Sequence, residues 1–284
     1  MRAIHEGRAA GRGAEAEAWR SAITATDEER IYIRGLALDA AIGRETYAGM
    51  VLRLWTGREP TNDDAALFDA CLVAAIDHGP LAPSALVART VTSTGAPPMT
   101  SLAAGITAFG PLHGAAVTSA MRLLATLPDV TDADEWGSAV FAGERAAGRR
   151  IPGVGHRWHS VDRRAERLLR MVTDQGRSAA PVERVRALAV AVGRHAGRSV
   201  AVNIDGALAA ALTALGLDPA YGDFAFALSR AAGLSAHIVE ESLRQRPMRL
   251  ILPTLATYDG PPTGQQGIGG DASSADQPTP EEHA

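Results

Sequence analysis

The chain contains no lysine; all 28 of its basic residues are arginine. A Schiff base to a carbonyl substrate and a lysine-anchored pyridoxal phosphate both need a side-chain primary amine, so both are excluded. The phosphate-gripping lysine of a P-loop is missing as well. Cys71 is the single cysteine among 284 residues. No intramolecular disulfide can form, and a reducing compartment is expected. A net charge of −4 argues against a general nucleic-acid binder. No run of about twenty apolar residues exists to span a bilayer. The opening "MRAIHEGRAAGRGAEAEAWR" has no apolar centre like that of a signal peptide. These absences lead to the expectation of a cytoplasmic protein with one large or two modest domains.

What is present is helical. "RIYIRG" (30–35) alternates apolar and charged residues and reads as a short strand and turn. "LALDAAIG", "TYAGMVLRLWTG" and "NDDAALFDACLVAAI" read as successive helices. Gly57 is the expected C-cap of the second, and Asn62 to Asp64 supply the start of the third. Residues 65–76 are apolar on nearly every side, which predicts a buried helix. Further helices are predicted within 81–126, broken at "TGAPP" and "FGPLHG", and over 162–172, 183–196 and 203–216. The last begins at Asn203 and stops at Gly216. In "YGDFAFALSRAAGLSAHIVEESLRQ", residues Phe224, Ala227, Leu228, Ala231 and Ile238 share one face. The expected class is all-α, densely packed through Ala and Gly. The first 25 residues read as loosely ordered, and 259–284, rich in Pro, Gly, Ser, Gln and acids, as a disordered tail.

Four local patterns place an ionisable group beside Gly or Pro at a helix boundary: "IDHGPLAPS" with His78, "FGPLHG" with His113, "PGVGHRWHSVDRRA" with His156, and "NIDG" with Asp205. Pro111 suits a first helical position. His113 would then lie in a first turn, where the helix dipole disfavours an imidazolium, and a neutral imidazole can donate to a carbonyl that becomes an enolate. The dipole of its own helix would keep Asp205 ionised. His156 and His159 could suggest a metal pair, but without a nearby Cys or acidic cluster they make a poor ligand set. No metal or prosthetic group is expected.

Taken in order, these motifs resemble the citrate synthase superfamily. "GPLHG" is similar to its first histidine motif and "PGVGHRWHSVDRRA" to its second. "NIDGALAAALTALG" resembles its asparagine-x-aspartate helix, "DHG" its substrate histidine, and "FALSRAAGLSAHIVEE" and "RQRPMR" its late arginine motifs. The chain departs from ordinary citrate synthases in three places. One short helical segment stands between "GREPTNDD" and "IDHG" instead of a long helical insert. The second histidine motif is one residue shorter before its arginine. Gly206 replaces a usual aromatic residue. The shortened large domain resembles bacterial citryl-CoA lyases.

The resemblance implies a two-domain helical fold. The large domain would comprise 26–114 and 218–258, and the small domain 115–217. It implies catalytic roles for His113, His156 and Asp205. His113 would stabilise the enol of a CoA thioester, Asp205 would move a methyl proton, and His156 would bond the oxaloacetate carbonyl. Substrate carboxylates would meet His78, Arg164 (with Arg163 as the alternative), Arg230 and, across a homodimer interface, Arg246. Ile151, Pro152, Gly153, Val154, Gly155 and Arg157 would hold coenzyme A. The implied reaction makes or breaks the bond between acetyl-CoA and oxaloacetate, most simply as citryl-CoA lyase. Citrate synthase and 2-methylcitrate synthase are the alternatives within this chemistry. A non-catalytic CoA- or dicarboxylate-binding protein is the reading from another class, and the intact His113, His156 and Asp205 argue against it.

Overall fold

A computed structural model describes residues 20–126, 132–155, 161–249, 255 and 257–260. The chain up to Met248 forms one unit and Arg249 begins a second. The first unit enters as an antiparallel meander of β1 (Thr24–Thr26), β2 (Ile31–Ile33) and β3 (Leu36–Ala37). Thr24 pairs with Ile33, and Tyr32 with Ala37. The predicted strand is β2. β1 is as short as β2 but is an exposed Thr-Ala-Thr with no large apolar residue to mark it, and β3 is only two residues long.

Helices make up the rest of the described unit: α1 (Leu38–Ala41), α2 (Tyr47–Thr56), α3 (Asn62–Ala75), α4 (Pro83–Ser93), α5 (Pro98–Thr107), α6 (Val117–Leu124), α7 (Ala133–Ala146), α8 (Arg163–Asp174), α9 (Ala180–Ala196), α10 (Ile204–Ala214) and α11 (Gly222–Arg244). Their ends follow local chemistry. Thr46 caps α2 through Gly49 N–H, and Gly57 closes it in the left-handed conformation. The cap of α3 is Thr61, one residue before the expected Asn62, because Thr61 and Asp64 form a reciprocal capping box.

The core centres on α10. Ala207 to Leu212 are each at most 1% exposed, and four of those six residues are alanine. Such a thin helix lets α3, α6, α8 and α9 gather around it. A smaller cluster of Ala82, Ala85, Ala88, Leu234 and Ile238 ties α4 to α11. Two expectations fail here. α3 buries Leu67, Phe68, Cys71 and Ala75 but exposes Val73. On α11, Ile238 is buried, but Phe224 is 63% exposed and Leu228 38%. The buried face is instead Ala225, Phe226, Ser229, Arg230, Gly233, Leu234, Ile238 and Glu241. It contains a serine, an arginine and a glutamate, so apolar periodicity pointed to the wrong side.

Candidate active site

The segment 151–155 is bolted to the start of α10. Val154 bridges Val202. Gly155 N–H donates to Ala201 O at 2.7 Å, and Asn203 N–H to Gly153 O at 3.1 Å. The Asn203 side chain works both ways. Its Nδ2 donates to Gly155 O at 2.9 Å, while Oδ1 accepts from Asp205 N and Gly206 N at 3.0 and 3.2 Å. One residue thus caps α10 and holds the loop that leads to His156. The two backbones touch. A Cβ on Gly153 would stand 2.6 Å from Gly206 Cα, and one on Gly206 would overlap Gly153 O. The glycine at 206 is what this close approach requires.

Asp205 lies in the first turn of α10 as expected, but the dipole does not govern its charge. Its Oδ1 is shut off from solvent and has no hydrogen-bond partner among the described residues. Burial pushes its pKa up to about 6, against the opposing pull of Arg230. It is a carboxylate poised near neutrality.

His113 also departs from expectation. Pro111 and Leu112 form the tip of a two-residue hairpin in which Gly110 and His113 exchange backbone hydrogen bonds at 2.7 and 2.8 Å. No helix begins there, since α6 starts at Val117. The helix N-terminus that meets the ring belongs to α4. Ser84 N–H donates to His113 Nε2 at 3.2 Å, and Ser84 Oγ lies at 2.9 Å. Accepting from an amide requires an unprotonated Nε2, so the ring is neutral and carries its proton on Nδ1.

Arg230 is 2% exposed. Its Nε donates to Ala75 O at 3.0 Å, its guanidinium lies 4.8 Å above the Phe226 ring, and its inner NH1 has no partner among the described residues. Burial lowers its pKa against the pull of Asp77 and Asp205. Phe226 packs edge-on against Phe109, which packs against His113. His78, Arg163 and Arg164 line one hollow of about 370 Å³ with Asp77, Val161 and Asp162. Arg163 is exposed, whereas Arg164 is half-buried and grips Asp162 through Nε and NH2 at 3.1 and 2.8 Å. Of the two arginines, Arg164 is the one whose charge reaches both Asp205 and Arg230.

Ile151 to Gly155 and Asp205 share a larger cleft of about 990 Å³. At its rim are Arg122, Arg149 and Arg150, which sequence reasoning did not single out. Arg149 and Arg150 directly precede the glycine loop and were legible there; Arg122, on α6, left no local signal. Glu144 holds Arg149 in a fork at 2.8 and 2.6 Å. Arg246 is exposed and borders a separate hollow with Thr92, Ser93 and Pro98. His156, Arg157 and His159 lie outside the described residues.

A family model described as citrate synthase, C-terminal domain, matches residues 17–254. The chain belongs to the citrate synthase family. The citrate synthase of Deinococcus radiodurans is 31% identical over 210 residues, 72% of this chain and 54% of that protein. The citrate synthase of Haloferax volcanii is 32% identical over 222 residues, 75% and 55%. The chain therefore spans about half the length of the curated relatives it matches. The solved structure of citryl-CoA lyase from Hydrogenobacter thermophilus is 31% identical with a TM-score of 0.76, covering 86% of this chain and 95% of that one. The citrate synthase-like helical fold is thus present in short form, with α3 the sole described helix between Glu59 and His78.

Proposed function

We propose that the chain cleaves citryl-CoA to acetyl-CoA and oxaloacetate. The observation that carries this reading is the match over 95% of the H. thermophilus lyase, together with the short α3 region. Neutral His113 would donate from Nδ1 to the thioester oxygen. His156 would take the proton of the citryl hydroxyl as the carbon–carbon bond breaks and the keto group of oxaloacetate forms. The electron pair would pass to the enolate that His113 stabilises, and Asp205, entering protonated, would place its proton on the terminal carbon. Condensation is the same sequence reversed, with Asp205 as base. A thioester methyl proton is a very weak acid, so base and preorganised donor are both needed.

His78, Arg164 and Arg230 would meet the carboxylates. The buried NH1 of Arg230, without a partner among the described residues, supports an anionic occupant, since such a donor is costly to leave unmet. The 151–155 loop would take the adenine of coenzyme A with Arg157 nearby, and Arg122, Arg149 and Arg150 would take its phosphates. The 115–217 segment would move as a small domain over the rest and exclude water. Phe224, Leu228, Val239 and Leu243 form an exposed apolar line along α11 that suits pairing with a second copy, whose Arg246 would complete the site. The pKa of the buried Cys71 thiol is raised to about 12 by burial, which leaves it unreactive and without a part in this chemistry. Among the described residues, no helix is long and apolar enough to cross a membrane.

The second reading is citrate synthase, favoured by the names of the D. radiodurans and H. volcanii relatives. The test is a paired assay. Citryl-CoA is supplied and acetyl-CoA and oxaloacetate are followed; separately, acetyl-CoA and oxaloacetate are supplied and free CoA is followed. Cleavage without CoA release supports the lyase. Rapid CoA release with citrate means a synthase. A third arm supplies propionyl-CoA and oxaloacetate; turnover there but not with acetyl-CoA means a 2-methylcitrate synthase. Silence in every arm points to a CoA- or dicarboxylate-binding protein.

A further inference from the structure

The face of α11 that carries Arg230 also grips the end of α3. The last carbonyls of a helix have no partner within it. Here Ser229 Oγ donates to Leu72 O, and Arg230 Nε donates to Ala75 O at 3.0 Å. At Gly233 there is no Cβ to collide with Ile76 O, and even Asp77 Cβ would be only 3.1 Å from one. One turn further on, His237 Nε2 meets Asp77 Oδ1 at 3.0 Å. These positions recur at three- and four-residue spacing, so one stripe of α11 follows the chain from Leu72 to Asp77. The next residue is His78.

The orientation of His237 is set from behind. Arg89 NH1 reaches its Nδ1 at 3.3 Å. A guanidinium only donates, so Nδ1 accepts and Nε2 holds the proton aimed at Asp77. Arg89, 8% exposed, is fixed by Glu241, 2% exposed, at 2.8 Å and by Glu240 at 3.3 Å. On the far side, Asp77 Oδ2 accepts from Gly79 N–H at 3.0 Å. One carboxylate therefore ties α11 with one oxygen and closes the turn around His78 with the other.

We infer that His237 is a positioning residue for the dicarboxylate end of the site, acting through Asp77 to set where His78 stands. It touches no substrate. The inference rests on the proposed role of His78 in holding a substrate carboxylate. The sequence pattern "AHIVEE" places His237 beside Glu240 and Glu241 but shows neither Asp77 nor Arg89, which lie about 150 residues away.

The test uses the full chain and titration calorimetry with oxaloacetate and, separately, acetyl-CoA. His237→Ala should weaken oxaloacetate binding about tenfold or more, as the misplacement of a binding group by a fraction of an ångström does, while acetyl-CoA binding stays within twofold. His237→Gln, whose amide can donate to Asp77 and accept from Arg89, should recover most of the loss. Asp77→Ala breaks the same link from its other end with the Arg89–Glu241 pair intact. Because it also releases Gly79 N–H, it should weaken oxaloacetate binding at least as much as His237→Ala, and the double variant should be no worse than Asp77→Ala alone. This keeps the question answerable if His237→Ala does not fold. A folded His237→Ala with unchanged oxaloacetate binding, or with equal losses for both ligands, overturns the inference. Wild-type protein that binds no oxaloacetate overturns the functional reading first and the inference with it.

Discussion

The two sides of the site are held by different means. Around Asp205, backbone lies on backbone: Gly153 against Gly206, and the loop carbonyls on Asn203. Around His78, side chains do the holding: Glu241, Arg89, His237 and Asp77 in series, with Arg164 locked on Asp162. The first arrangement tolerates no added atom and is indifferent to salt. The second tolerates changes of shape but answers to charge. On the proposed function the division has a reason: a proton would be moved at one fixed point, whereas carboxylates would be met by cations.

The sharpest test of this contrast is Asp205→Asn. Turnover should fall by about 10²–10⁴, the usual weight of a general acid or base, as read by the paired assay. Stability should move the other way. Burial raises the folded pKa to about 6 from 3.8. The ionised form therefore costs stability once the pH rises through that window, by up to about 3 kcal/mol at pH 7. The asparagine variant should melt higher at pH 7–8 and gain nothing at pH 4. A lower melting temperature at pH 7 would mean that the carboxylate is not paying a burial penalty.

Gly206→Ala comes next. Its Cβ would overlap Gly153 O, so a main chain has to shift, at about 1–3 kcal/mol or more for overpacking. The denaturant midpoint and the affinity for acetyl-CoA should fall together. On the other side, Ser229→Ala removes only the hydroxyl that meets Leu72 O and should cost about 1 kcal/mol. A larger loss for Ser229→Ala than for Gly206→Ala would reverse the contrast.

The pH dependence is a smaller, graded effect. On the proposed mechanism, exchange of acetyl-CoA methyl protons needs ionised Asp205, so its rate should fall about tenfold per pH unit below about 6. Deuterium incorporation followed by mass spectrometry reads this directly. A profile flat from pH 5 to 8 would sink the assignment of Asp205 as base. Smallest is Glu144→Gln, which frees Arg149 at the rim of the larger cleft. Acetyl-CoA should bind about two- to fivefold tighter at low salt, with the gain lost at high salt.

Much of this was readable from local chemistry. Thr46, Gly57, Asn203 and Gly216 mark helix ends through their own side chains or backbone angles, and the sequence carries those marks. The order of the histidine, aspartate and arginine motifs was likewise visible. What was hidden depends on partners distant in the chain. The amide that sets the tautomer of His113 belongs to Ser84, in the first turn of α4 and 29 residues earlier. The charge of Asp205 follows from enclosure rather than from its helix position. The inward face of α11 carries polar groups because the carbonyls of α3 call for donors there, and a hydrophobic pattern is blind to that need.

The bare contact between Gly153 and Gly206 also constrains descent. A side chain at either position forces the main chain opposite it to move, so each single step away from the pair carries an overpacking cost of about 1–3 kcal/mol or more. A lineage carrying an aromatic residue at 206 should also carry a longer or re-routed glycine loop. The identity of residue 206 and the length of that loop should therefore be inherited together, as one character rather than two.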